Sequence, residues 1–305
     1  MGLARFQHLR RRRLALSLTT RFCLPHEGME KLEYLSRGSA FLLQDKADMT
    51  SLNELKVLTC QHVACPWLFP KYFAEKWDWL QFVSEEFVQH SLQLLEIPST
   101  TSRSASVLVD IPLQQHVWIH PDRDVAMLQP LESDSAQHWE SFLSKWNLAT
   151  ASLQSTGCAP GDHLLFVGHK QTVDDAEANE DAVGQFPMEV AGRFVGQSPM
   201  GQAFAWSEEI LEEGMCGGAV MNEEGECVGL IEGIVPPYQP SDHEVSVLSS
   251  DASPLEERAA AEAAATKQMR KALENHVAFV PAAEINDFVQ GNSQFMLTGL
   301  ALDFD

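Results

Sequence analysis

The chain is poor in several things, and each shortage closes a class of explanation. Basic side chains are few: 21 lysines and arginines face 43 acids, a net charge of −22 over 305 residues. Binding through phosphates needs a basic footprint, so nucleic acid is excluded as a main direct ligand. Long apolar runs are missing as well. Although 45% of the residues are hydrophobic, no stretch approaches the length of a membrane span. The six cysteines (23, 60, 65, 158, 216 and 227) are too few and too scattered for a disulfide scaffold in a chain of this size. A reducing compartment is compatible with them. No cofactor and no metal is expected.

Acid is absent from one place in particular. Residues 1–26 carry six arginines (Arg5, Arg10 to Arg13, Arg21), and the first carboxylate is Glu27; the remainder then holds 15 basic and 43 acidic side chains, a net charge near −28. Arginine, leucine, serine and threonine without acid compose a mitochondrial transit peptide. Four consecutive arginines interrupt any apolar core that a secretory signal would need. The expectation is a leader over 1–26, a mitochondrial location, and cleavage near residues 20–30. A disordered basic tail or nuclear-type patch is the alternative.

What is present is mostly strand material. SRGSAFLLQ and ELKVLTCQHV read as two strands around a polar turn. The pattern returns in SVLVDIPL, HVWIH and DVAMLQPL, and again from HLLFVGH through CVGLIEGIV. Three segments read as helix. Over 66–97, Phe73, Trp77, Leu80, Val83, Phe87 and Leu94 recur at helical spacing. SAQHWESFLSKWNLAT lies between the halves, and 254–275 is alanine-rich behind Ser253-Pro254. DDAEANEDAVG (174–184) reads as a solvated acidic loop. Short strands in two halves with helices as insertions point to an all-β sandwich or barrel pair.

Three segments carry chemistry: Thr59-Cys60-Gln61-His62-Val63, Asp124-Val125-Ala126-Met127-Leu128, and Gly214-Met215-Cys216-Gly217-Gly218-Ala219-Val220. A histidine at a strand end can serve as general base, an aspartate can orient it, and a cysteine in glycine-rich backbone can be the nucleophile. Amides of such a turn can face a developing oxyanion. Each piece alone is weak, and together, in the order His, Asp, nucleophile, they are specific. Cys60, His62, Cys65 and Cys158 are also zinc-ligand types, but His62 fits the first pattern better.

These segments resemble the trypsin-like peptidases, and among them the HtrA/DegP-like branch. Gly38-Ser39-Ala40-Phe41 is similar to that family's G-S-G-F, Asp124 through Leu128 to its D-L-A-V-L, and Gly214 through Ala219 to its nucleophile turn. Gly161 to Gly168, Gly225 to Leu230 and Ala278 to Pro281 match further strands, so the resemblance covers about 36–290. It implies two antiparallel six-stranded Greek-key β-barrels with helical insertions: 27–135 with the insertion 66–97, a connection over 136–150, then 151–292 with an insertion over 236–275 and a tail over 293–305. It implies catalysis by His62, Asp124 and Cys216, an oxyanion turn of Gly214, Met215 and Cys216, and a substrate pocket at Ile210, six residues before the nucleophile, with Glu232 nearby. Cysteine for serine gives G-x-C-G-G, as in picornaviral cysteine proteases. The expected activity is endopeptidase cleavage of a polypeptide substrate. The alternative is a catalytically silent protein of this fold, serving as a structural or interaction subunit of a larger mitochondrial assembly with protein partners.

Overall fold

The computed structural model describes residues 2–9, 12–44, 55–70, 78–96, 105–131, 136–171, 182–237, 264–265, 267–292 and 294–297. Two antiparallel β-structures divide the chain between them, as the trypsin-like two-barrel fold requires. The second half closes into a six-stranded barrel. Its strands are β8 (His163–Gln171), β10 (Gln185–Gln197), β11 (Ala203–Ser207), β12 (Ala219–Met221), β13 (Cys227–Ile234) and β14 (Val277–Pro281). Inside it Phe166, Val190, Phe194, Leu211, Val228 and Phe279 form a core.

The first half is a curled sheet built on β1 (Ala15–Phe22), β2 (Glu33–Leu43), β3 (Lys56–Thr59), β4 (Val88–Glu96), β5 (Ala105–Pro112), β6 (Val117–Ile119) and β7 (Ala126–Leu128). Six of them run in the order β7-β3-β2-β1-β4-β5. A bridge from Leu113, just past β5, to Pro130, just past β7, draws the two ends of that series together. The sheet then grows to nine strands: β6 pairs with β7, β15 (Phe295–Leu297) adds to β6, and β9 (Ala182–Val183) adds to β5. Both added strands come from the second half of the chain.

Within the segment expected as a leader, residues 15–22 are built into the first-half sheet. β1 lies between β2 and β4, and its burial pattern shows both faces covered. Leu16 and Leu18 enter the core, while on the other face Ser17 donates to Gln185 (2.5 Å) and Thr19 to Gln93 (3.0 Å). Phe6 is fully buried, and Arg5 pairs with Glu223 of the second half. The first half therefore begins well before residue 27. The arginines that suggested targeting flank an alternating run, ALSLTTRF, of strand type.

The helix expected over 66–97 is absent among its described residues. Pro66–Leu68, Asp78–Phe82 and Glu85–Phe87 are single 3-10 turns, and residues 88–96 are β4, hydrogen-bonded to β1 and β5. A buried apolar strand and a buried helical stretch share the same short spacing of apolar residues, which is why periodicity misled. The helix between the halves is present as α2 (Ala136–Trp146); α1 is the single turn Gln61–Ala64, and α3 (Ala282–Val289) follows β14. Residues 264–265 and 267–272 are helical, while 254–263, 266 and most of the acidic loop lie outside the described residues. The tail supplies β15, so it belongs to the first-half sheet.

Candidate active site

The register of two strands brings the base and acid together. β3 and β7 are antiparallel neighbours with Thr59 opposite Ala126, so the chain leaving β3 emerges beside the chain entering β7. His62 sits three residues past Thr59 in α1, and Asp124 two residues before Ala126. His62 Nδ1 lies 2.5 Å from Asp124 Oδ2, and the His62 backbone N–H donates to Asp124 Oδ1 at 3.0 Å. Both oxygens are thus used to aim one ring. The approach to Asp124 is braced by His120, whose Nδ1 accepts from the N–H groups of Asp122 and Arg123, each at 3.1 Å. Gln61 donates to the His120 carbonyl. On the other side of α1, Ser36 donates to the Val63 carbonyl at 2.8 Å, and Thr20 of β1 lies 3.4 Å from the carbonyls of Val63 and Ala64. The supposed leader therefore supports the helix that carries His62.

Cys216 comes from the facing barrel, in the turn before β12. It is partly exposed and hydrogen-bonds the His62 ring. With Nδ1 committed to Asp124, Nε2 is the ring nitrogen left for a partner. Burial disfavours the imidazolium, but the hydrogen bonds and negative charges of Asp124 and Cys216 outweigh it and raise the His62 pKa to about 10.

The carbonyls of residues 212–216 are all tied down. Glu212 O accepts from Met215 N–H (3.3 Å), Glu213 O from Gln171 N–H (2.6 Å), Gly214 O from the Ser39 hydroxyl (2.6 Å), Met215 O from Gly218 N–H (3.0 Å) and Cys216 O from Ser39 N–H (3.0 Å). Ser39, in β2, thus stitches the turn to the first-half sheet, and its own oxygen accepts from His169 N–H at 2.7 Å. Of the turn's amides, those of Met215, Gly217 and Gly218 are spent internally. Those of Gly214 and Cys216 have no partner among the described residues. Because a trans peptide sets C=O and N–H on opposite sides, the grip of Gln171 on Glu213 O turns the Gly214 N–H outward. Gly217 has φ +85°, and a Cβ there would stand 2.1 Å from Ser39 O, so only glycine lets the turn approach β2 this closely.

The remaining candidates are placed differently from expectation. Met215 gives its N–H to Glu212 and its side chain to the second-half core, so it shapes the turn without offering an amide. Ile210 is 58% exposed and cannot be the buried floor of a pocket. Glu232 is partly buried and feels the charges of Asp124, Arg123 and His62. Cys60, His62 and Asp124 place one donor atom each within 4.8 Å of one another. Yet His62 is already hydrogen-bonded to Asp124 and Cys216, and Cys60 donates to Ile231 O at 3.1 Å. Cys65 and Cys158, the other sequence candidates for zinc, are outside that group.

Burial raises the thiol pKa of Cys60 and Cys65 well above the usual value, that of Cys158 to about 11 and that of Cys227 to about 12. Two supporting devices escaped sequence reading. One is the role of Ser39, although its G-S-x-F context was visible. The other is Arg123, which grips Glu284 of α3 through Nε (2.5 Å) and Nη2 (3.0 Å) and also donates to Met200 O. No local signal links residues 161 positions apart.

No family model matches the chain, and no curated protein matches it by sequence. Solved structures are similar in fold. The active form of the Rv3671c protease from M. tuberculosis aligns with a TM-score of 0.45 at 10% identity, over 93% of this chain and 82% of that one. A serine endoprotease from Yersinia pestis aligns with a TM-score of 0.47 at 11% identity, over 95% and 68%. The inactive form of Rv3671c gives 0.42 at 11%, over 90% and 87%.

Proposed function

We propose that the chain is an endopeptidase in which Cys216 is the nucleophile, His62 the base and Asp124 the group that orients it. The observation that supports this reading is the His62 ring, held by Asp124 through Nδ1 and hydrogen-bonded by Cys216 of the other half. The thiol proton passes to His62 Nε2, and the thiolate attacks the peptide carbonyl carbon. The carbonyl oxygen, now negative, takes the two uncommitted amides of Gly214 and Cys216. His62 returns the proton to the departing amine, leaving a thioester on Cys216. Water, deprotonated at His62, then hydrolyses the thioester and restores the thiol. Asp124 stabilises the imidazolium formed in both halves of the cycle.

The test is iodoacetamide labelling at neutral pH, read cysteine by cysteine by mass spectrometry, alongside cleavage of a peptide library. Cys216 should label faster than Cys23 and Cys158, His62→Ala should slow it, and Cys216→Ala should abolish cleavage. Labelling of Cys216 no faster than Cys23, with His62→Ala indistinguishable from wild type, would refute the triad and favour a silent interaction subunit.

A further inference from the structure

β13 carries a carboxyl group that this mechanism leaves unused. Ile231 O accepts from Gly217 N–H at 2.8 Å and from the Cys60 thiol at 3.1 Å, so the strand lies against both the nucleophile turn and the segment leading into His62. The next residue, Glu232, falls where the pairing of β13 with β14 slips: Ile231 faces Phe279, Gly233 faces Ala278, and Glu232 has no opposite number. Such a bulge re-aims the extra side chain. The Glu232 carboxyl is hydrogen-bonded by Gln202, yet its Oε2 is buried with no hydrogen-bond partner among the described residues. A buried oxygen left unpaired costs about 1–3 kcal/mol, and more if charged. Its retention beside a catalytic pair calls for a role.

We propose that Glu232 is a positioning residue that acts through His62, its ionisation adding a second negative charge behind the imidazolium and so strengthening the His62–Cys216 pair. The proposal rests on the peptidase reading of the triad. The groups facing Glu232 are Asp124 from the approach to β7, Arg123 beside it, His62 in α1, Gln202 from the approach to β11 and the Cys60 thiol. With β13 lying against the segment that leads into His62, the carboxyl shares the electrostatic surroundings of the base. Burial, and then the charge of Asp124, hold its pKa above the ordinary glutamate value; Gln202, Arg123 and His62 oppose them. Below that raised pKa Glu232 is a neutral acid, and Asp124 alone balances the imidazolium. Above it, two carboxylates do.

The experiment is the pH profile of Cys216 alkylation by iodoacetamide in the full chain, in wild type, Glu232→Gln and Gln202→Ala. Wild type should rise through two ionisations. Glu232→Gln, nearly the same shape without the charge, should rise through one and label about three- to tenfold more slowly at pH 6, a shift of up to one pH unit. Gln202→Ala removes the hydrogen bond that favours the carboxylate, so its second rise should move to higher pH. A Glu232→Gln profile superimposed on wild type, while His62→Ala still slows labelling, overturns the role of Glu232 and leaves the triad standing. If Glu232→Gln does not fold, an unmoved Gln202→Ala profile has the same force. Slow labelling of Cys216 in wild type itself, insensitive to His62→Ala, removes the triad and this proposal together.

Discussion

The two halves of the molecule hold their shares of the site by different means. The first-half sheet presents His62 and Asp124 on short irregular segments, and side chains do the holding: both Asp124 oxygens, the His120 ring, and the hydroxyls of Ser36 and Thr20. The closed second-half barrel presents Cys216 on a turn whose carbonyls are fixed mostly by main-chain amides, with one hydroxyl from Ser39. A base must be rotated to a particular angle, which side chains can tune. An oxyanion turn must point two amides outward, which only backbone conformation can do. The two halves should therefore fail differently when altered.

The largest expected effect removes the basis of the comparison. Deleting residues 1–22 takes β1 out from between β2 and β4, together with fully buried Phe6, Leu18 and Thr20. The truncated chain should be insoluble or lack a cooperative melting transition by circular dichroism. N-terminal sequencing of the native protein should likewise find no processing beyond residue 14. A truncated chain that melts like the full one would return residues 1–22 to the status of a leader.

Asp124→Asn tests the side-chain half. It keeps shape but permits the wrong imidazole tautomer, and should lower kcat by a factor on the order of 10⁴ with little change in melting temperature. Gly217→Ala tests the backbone half. Its Cβ would meet Ser39 O at 2.1 Å and the Thr59 hydroxyl at 2.4 Å, at a φ unfavourable to L residues. Stability and activity should fall together, the former by about 1–3 kcal/mol in denaturant titration. If Asp124→Asn lost stability and Gly217→Ala lost only activity, the contrast would be reversed.

The smallest effect sharpens the comparison through pH. Among the described residues each half buries one histidine, His90 in β4 and His169 in β8, with one ring nitrogen of each unpartnered. Burial lowers both pKa values from 6.5 to about 4. Between those values the unfolded chain takes up protons that the folded chain refuses, so stability should fall as pH drops from about 6.5 toward 4 and be insensitive to these groups above. His62 has the opposite sign: its raised pKa stabilises the fold below about 6.5, and that contribution is lost as pH rises toward about 10. Urea midpoints at pH 5 and 7 should differ less in His90→Gln and His169→Gln than in wild type.

Much of the candidate site was legible because each residue of the proposed triad sits in a local pattern: a strand end, a strand start, a glycine turn. The two-barrel fold was legible from the same strands. What misled was composition without context. The arginine-rich start concealed strand ALSLTTRF, and VQHSLQLLE passed as helix because a strand buried on both faces loses its alternation. Ile210 was assigned by counting back from the nucleophile, and the turn's actual path leaves it in solvent.

The sequence by itself determined the chemistry available: which residues can donate, accept or attack, and in what order they come along the chain. Strand register, β3 against β7, decided that His62 and Asp124 meet, and the docking of one barrel on the other decided that Cys216 joins them. Only the tertiary structure could show that Ser39 ties the Cys216 turn to the other half, that Thr20 of β1 supports the His62 helix, and that β13 bulges at Glu232. The physical reason is one of range. Propensity and turn chemistry act over a few residues, whereas hydrogen bonds and charges act through space between segments that only folding brings together.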